Sequence, residues 1–147
     1  MDQAAQIRVL VVDDDPAMQR FLEVLLTHRG WQTVAASSGS EAMERVAAAG
    51  AGEGFDVALL DAMLPDVRGY DLARRLVGDD RTAALPLCFL TGALTTRVRA
   101  TAGIACILKP AMPQQVLKTI EEVIEAPVAE PAARLEAISA VERFSLL

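Results

Sequence analysis

The stretch VLVVDDDP, residues Val9 to Pro16, carries an apolar run straight into three consecutive aspartates. An apolar run without polar alternation reads as a strand buried on both faces, the pattern of a parallel sheet covered by helices. Carboxylates set side by side repel one another, so the cluster needs a reason. Asp15-Pro16 supplies part of it. Aspartate is a favoured helix N-cap, proline suits the first helical position, and acidic groups favour the positive end of a helix. Asp13 and Asp14 are left at the mouth of the strand without a structural task.

Three further apolar runs, FDVALL (55–60), LPLCFL (85–90) and IACIL (104–108), resemble the first, IRVLVV (7–12), and WQTVAA (31–36) is a less apolar fifth. Helical patterns separate them. Met18, Phe21, Leu22 and Leu25 share one face of a helix that Gly30 stops. Ser38 stands three residues before Glu41, a capping box for a helix within 37–50. YDLARRLV (70–77) is a short amphipathic helix, and MPQQVLKTIEEVIEA (112–126) turns Val116, Leu117, Ile120, Val123 and Ile124 inward. Strand and helix thus alternate five times, which predicts a doubly wound α/β sheet with right-handed crossovers. The fourth helix, over 94–103, is the weak one: Val98 is its only strong inward residue and it is rich in threonine. APVAEPAA (126–133) reads as a linker and 131–147 as a further helix, with Leu135, Ile138, Val141 and Phe144 as a stripe that needs covering. Its own domain, a second copy or an output domain beyond this chain would each serve.

Composition narrows the function. The 147 residues suit one ordinary domain, with 52% hydrophobic residues and a mean hydropathy of +0.30. A formal charge of −6 with no basic cluster argues against nucleic-acid binding by this chain alone. No apolar run is long enough to span a bilayer, and MDQAAQIR has no secretory signal. Cys88 and Cys106 show no metal-binding spacing and read as reduced, buried thiols of a cytoplasmic protein. His28 is the only histidine and falls in the last turn of the first helix, which leaves little room for a histidine-based metal site or a catalytic triad.

In an open parallel sheet, ligands gather beyond the carboxyl ends of the strands. The first strand delivers Asp13 and Asp14 there, the third Asp61, the fourth Thr91 and the fifth Lys109. Clustered carboxylates call for a cation, and Mg²⁺ is the natural partner of hard oxygen ligands. Together these groups suit phosphoryl transfer: a carboxylate nucleophile, a metal between it and the incoming oxygens, and an ammonium and a hydroxyl for the remaining charge.

With VLVVDDDP, VALLDAMLPDVRG, CFLTG and ILKP in this order, the chain resembles the receiver domain of two-component response regulators over roughly residues 7–125. The resemblance implies a flavodoxin-like strand order 2-1-3-4-5, a receiver domain over 1–125, and a linker and C-terminal helix over 126–147. It implies Asp61 as phosphoacceptor and Asp13 and Asp14 as the acidic metal pair, Asp14 being the more direct ligand. Met63 would offer its backbone carbonyl to Mg²⁺, and Thr91 and Lys109 would be the switch hydroxyl and the phosphate-pairing lysine. The peptide before Pro110 would be cis. The partners implied are a histidine kinase or phosphotransfer protein as donor, and a homodimer, an output domain or a separate target as recipient of the signal. There is no direct role for nucleic acid or membrane.

The departures fall together. Cys106 stands where the family has a switch aromatic, Ala111 where it has phenylalanine after Lys-Pro, and Gly92 where alanine is common. The Thr91–Lys109 spacing is short by about one helical turn. These changes imply intact phosphorylation chemistry with an altered readout. A pseudo-receiver, acting as a phosphorylation-independent interaction module, is the alternative. A phosphatase using an early DxD nucleophile would leave Asp61 unexplained and lacks length for a cap domain. Individually, Thr91 could cap a turn, Lys109 could be a structural ion pair, and Arg68 could steer a phosphodonor or be a solvated loop residue. Only the combination points to chemistry.

Overall fold

The computed structural model describes residues 6–49, 54–92 and 101–145. The apolar runs form β1 (Arg8–Val12), β2 (Gln32–Ala36), β3 (Val57–Asp61), β4 (Leu87–Thr91) and β5 (Ile104–Leu108). They pair in parallel as one sheet in the order β2-β1-β3-β4-β5. The described helices are α1 (Pro16–His28), α2 (Gly39–Ala48), α3 (Gly69–Val77), α4 (Pro113–Glu125) and α5 (Pro131–Phe144).

Alternation along each strand sends successive side chains to opposite faces. Val9, Val11, Val57, Leu59, Cys88, Leu90, Ala105 and Ile107 meet Leu22 and Leu26 of α1 and Val116, Ile120 and Val123 of α4. Leu10, Val12, Ala58, Leu60, Leu87, Phe89 and Ile104 meet α2, α3 and Ala137, Ile138 and Val141 of α5. Both faces are therefore covered over β1, β3 and β4, which is why those strands carry no polar alternation, while the edge strand β2 is partly exposed. Cys88 and Cys106 fall on opposite faces, Cys106 pairing in register with Phe89. Both are free thiols. Burial raises the Cys88 thiol and pushes Cys106 up to about 12, so neither is a thiolate at neutral pH.

Helix starts follow the local chemistry. Asp15 caps α1 by accepting from the Ala17 amide at 3.0 Å, with Pro16 next. Ser38 caps α2 by accepting from the Glu41 amide at 3.0 Å, while Glu41 reaches back to accept from Ser37. The Lys109-Pro110 peptide is cis.

The helix expected over 94–103 lies mostly in 93–100, outside the described residues; its end, 101–103, is a turn. The Thr101 amide donates to the Ile104 carbonyl at 2.9 Å and the Ile104 amide returns the bond at 2.8 Å. Between them Ala102 and Gly103 have φ of 57° and 75°, the two left-handed residues of a tight type I′ turn. A Cβ on Gly103 would also stand 3.2 Å from Val128. Gly103→Ala is expected to lower stability by about 1–2 kcal/mol, and Ala102→Gly to leave it unchanged or raise it, as chemical denaturation midpoints would show.

The C-terminal helix packs on its own sheet. It lies on the α2–α3 face of the sheet, against α3 and β5. It buries half of the expected stripe: Ile138 and Val141 are buried, while Leu135 and Phe144 are exposed. A three-residue step falls about 60° short of a full turn, so an every-third pattern winds off the buried side. The buried line is Arg134, Ala137, Ile138 and Val141. Arg134 is fully buried, and no carboxylate of the described residues pairs with it. Its guanidinium donates to four carbonyls: Ala102 at 2.9 Å, Gly103 at 3.4 Å, and those of Ala83 and Leu85. One side chain thus fastens α5 to the left-handed turn and to the segment entering β4. Burial draws Arg134 down to about 10, which leaves it charged at neutral pH.

Candidate functional site

The carboxyl ends of β1, β3, β4 and β5 share one rim. Ligand atoms of Asp13, Asp14 and Asp61 lie within 4.8 Å of one another. Asp13 is fully buried and Asp61 nearly so, while Asp14 is exposed. Lys109 Nζ stands 3.4 Å from Asp61 Oδ2 and 3.9 Å from Asp13 Oδ2. Thr91 ends β4 beside them, buried, and its carbonyl accepts from the Lys109 amide at 2.8 Å. The structure thus brings Asp13, Asp14, Asp61 and Lys109 into one cluster, with Thr91 on the adjoining strand end. Asp61 Oδ1 accepts from the Met63 amide at 3.1 Å, and the Met63 side chain points to solvent.

Asp13 is the least settled group. Its Oδ1 accepts from the Asp15 amide at 2.9 Å, but Oδ2 is buried with no hydrogen-bond partner. Burial pushes its carboxyl up to about 6, with the charges of Asp61 and Asp14 adding to the rise and the Asp15 amide and Lys109 opposing it. An orphaned, buried carboxylate oxygen beside two further carboxylates fits a hard divalent cation. With the folded pKa raised from 3.8 to about 6, the contribution of Asp13 is present below 3.8 and lost as pH rises through 6. In chelator, Asp13→Asn is expected to match the wild type below about pH 4 and exceed it in stability above about pH 6. Urea midpoints across that range test this.

The surrounding loops are pinned. Gln19 of α1 donates to the carbonyls of Asp13 and Ala36 and to the Ser37 hydroxyl, tying the β1 and β2 ends together. Asp66 accepts from the Gly39 and Ser40 amides, both at 2.9 Å, which hold its carboxyl below the usual range and anchor the loop after Asp61 to α2. Gly69 closes that loop: its amide donates to the Ala62 carbonyl at 2.8 Å, and a Cβ there would stand 2.1 Å from the Asp61 carbonyl oxygen. Only glycine lets α3 begin so close to β3. Gln19 and Asp66 were not singled out in the sequence. Gln19 lies one turn beyond the Asp15 cap on the rim side, the one local signal for it.

Residues 9–121 match the family model described as the response regulator receiver domain. The chain belongs to the response regulator receiver family. This receiver is 40% identical over 85 residues to the transcriptional regulatory protein TrcR of Mycobacterium tuberculosis, covering 58% of this chain and 31% of that protein. It is 32% identical over 140 residues to the DNA-binding response regulator MtrA of Mycolicibacterium smegmatis, covering 92% of this chain and 58% of that protein. The receiver therefore spans only part of the length of these relatives. Among solved structures, a putative response regulator from Chloroflexus aurantiacus superposes with a TM-score of 0.71 at 26% identity, covering 82% of this chain and 99% of that one. The chemotaxis response regulator CheY4 of Vibrio cholerae gives 0.70 at 25%, covering 81% and 99%.

Cys106 is not part of the rim. It lies against the α3–α5 side, beside Phe89, whose ring meets Tyr70 with centroids 4.8 Å apart. Tyr70 is fully buried and its hydroxyl has no hydrogen-bond partner. The receiver thus keeps aromatic volume beside β5, supplied by α3 and β4 instead of β5 itself. Among the described residues, no helix is long and apolar enough to cross a membrane.

Proposed function

We propose that this receiver accepts a phosphoryl group on Asp61 from a histidine kinase or phosphotransfer protein and thereby changes its affinity for a partner. The observation that carries the proposal is the pairing of Asp61 Oδ2 with Lys109 Nζ at 3.4 Å, beside the orphaned Asp13 carboxylate. An Asp61 carboxylate oxygen attacks phosphorus, the donor's P–N or acyl P–O bond breaks, and the leaving imidazole or carboxylate takes the bonding electron pair. Lys109 and Thr91 are assigned to the phosphoryl oxygens, where they stabilise charge as it develops. Asp13, Asp14, Asp61 and the Met63 carbonyl would hold Mg²⁺, which when bound neutralises charge between carboxylate and phosphoryl oxygens. Hydrolysis resets the site: water attacks phosphorus and inorganic phosphate leaves, restoring the carboxylate.

The recipient of the signal is a protein: a second copy, an output domain or a separate target. The relatives' names describe transcriptional and DNA-binding regulators, while this chain's −6 charge gives DNA no basic surface to follow. Incubation with Mg²⁺ and acetyl phosphate, followed by intact-mass measurement and peptide mapping, tests the reading. One phosphoryl group on the peptide containing Asp61, absent when chelator replaces Mg²⁺, is expected. No adduct would support the pseudo-receiver alternative.

A further inference from the structure

Glu142, in the last turn of α5, bridges two arginines. Its Oε1 accepts from Arg74 of α3, and its Oε2 lies 3.6 Å from Nη1 of Arg68. Arg68 belongs to the short loop that follows Asp61. It bridges Met63 across that loop, and the Met63 amide is in turn held by Asp61 Oδ1. A continuous chain of contacts therefore runs from the Asp61 carboxylate through Met63 and Arg68 to the end of α5.

Arg68 is only half used. Its guanidinium lies 5.7 Å from the Tyr70 ring centroid, Nε and Nη2 are buried without a hydrogen-bond partner among the described residues, and the 3.6 Å approach to Glu142 exceeds hydrogen-bond range. The opposite end of α5 is fastened by Arg134 through four carbonyls. Near its end the helix is held by Arg74 of α3, which donates to Glu142 and, at 3.2 Å, to the Ser139 hydroxyl, and Arg68 adds a weaker contact that also faces the site. Resting on the reading of Asp61 as phosphoacceptor, we propose that Arg68 couples the phosphorylation state of Asp61 to α5. A phosphoryl group adds about −1.5 to −2 of charge, beside a loop whose one arginine has idle donors. Arg68 turns from Glu142 toward that charge, and the negative C-terminal end of α5, with its carboxylate, keeps only one of its two counter-ions, Arg74. The last turn of α5, held to α3 by Arg74 alone, loosens. α5 in this receiver is the readout element, in place of a β5 aromatic.

Amide hydrogen exchange on the full chain, with and without Mg²⁺ and beryllofluoride, tests this. Beryllofluoride is expected to speed exchange over 139–144 about fivefold, the factor carried by one partly exposed ion pair, with amides at 134–138 unchanged. Glu142→Gln should show the faster exchange without beryllofluoride and no further response to it. Arg68→Gln should also lose the response. Intact mass after acetyl phosphate treatment is read on each sample. Adduct formation with unaltered exchange at 139–144, or a Glu142→Gln response equal to that of the wild type, would overturn the coupling and leave the phosphoacceptor reading standing. No adduct would overturn that reading, and the coupling with it.

Discussion

Asp61→Asn is expected to lower phosphoryl incorporation from acetyl phosphate or a phosphohistidine donor by more than about 10³-fold, since it removes the nucleophile and not an accessory group. The fold should survive. An asparagine carbonyl still accepts from the Met63 amide, and Asp13 is relieved of a like charge that now adds to the rise of its pKa. Unchanged or raised thermal stability with lost labelling would separate chemistry from folding. Labelling at an unchanged rate would move the phosphoacceptor elsewhere.

Arg134→Met should be strongly destabilising, costing about 3–5 kcal/mol. The substitution removes the donors of four carbonyls at once: Ala83, Leu85, Ala102 and Gly103. The Gly103 carbonyl still accepts from the Leu87 amide at 2.8 Å, but those of Ala83, Leu85 and Ala102 lose the guanidinium and retain their desolvation penalty. A domain of this size has only about 5–15 kcal/mol in hand, so the urea midpoint should fall sharply. Arg134→Lys should rescue little, because a single ammonium cannot match the planar fork of a guanidinium. A loss below about 1 kcal/mol would mean that α5 is not fastened in this way.

The predicted stability loss bears on where the folding unit ends. The family model stops at residue 121, yet Ala137, Ile138 and Val141 complete one of the two cores. We propose that the receiver unit extends through α5, ten residues and more beyond the 126–133 linker, in place of an independent tail after residue 125.

The parts of the molecule that could be read in the sequence have strong, local chemical signals. Apolar runs without alternation report strands covered on both faces, and each run ends in the residue that reaches the rim: Asp13, Asp61, Thr91, Lys109. Caps at Asp15 and Ser38 are likewise local. What escaped depends on distant pairing. Arg134 reads as a surface cation because arginine is seldom fully buried, and nothing near it in the chain announces four carbonyls contributed by residues 83–103. Arg68 read as a solvated loop residue; its partner Glu142 lies in the last helix. Tyr70 filling space beside Phe89 and Cys106 is equally non-local, since it depends on how α3 sits on β4.

The central claim is that one rim holds a divalent cation against a carboxylate able to carry phosphate. A crystal structure of the receiver grown with Mg²⁺ and beryllofluoride tests it most directly. The account predicts beryllium bonded to an Asp61 oxygen, fluorides contacted by Lys109 Nζ and the Thr91 hydroxyl, and Mg²⁺ held by Asp13 and Asp14. Beryllofluoride bound elsewhere, or a site with Mg²⁺ away from Asp13 and Asp14, would contradict it.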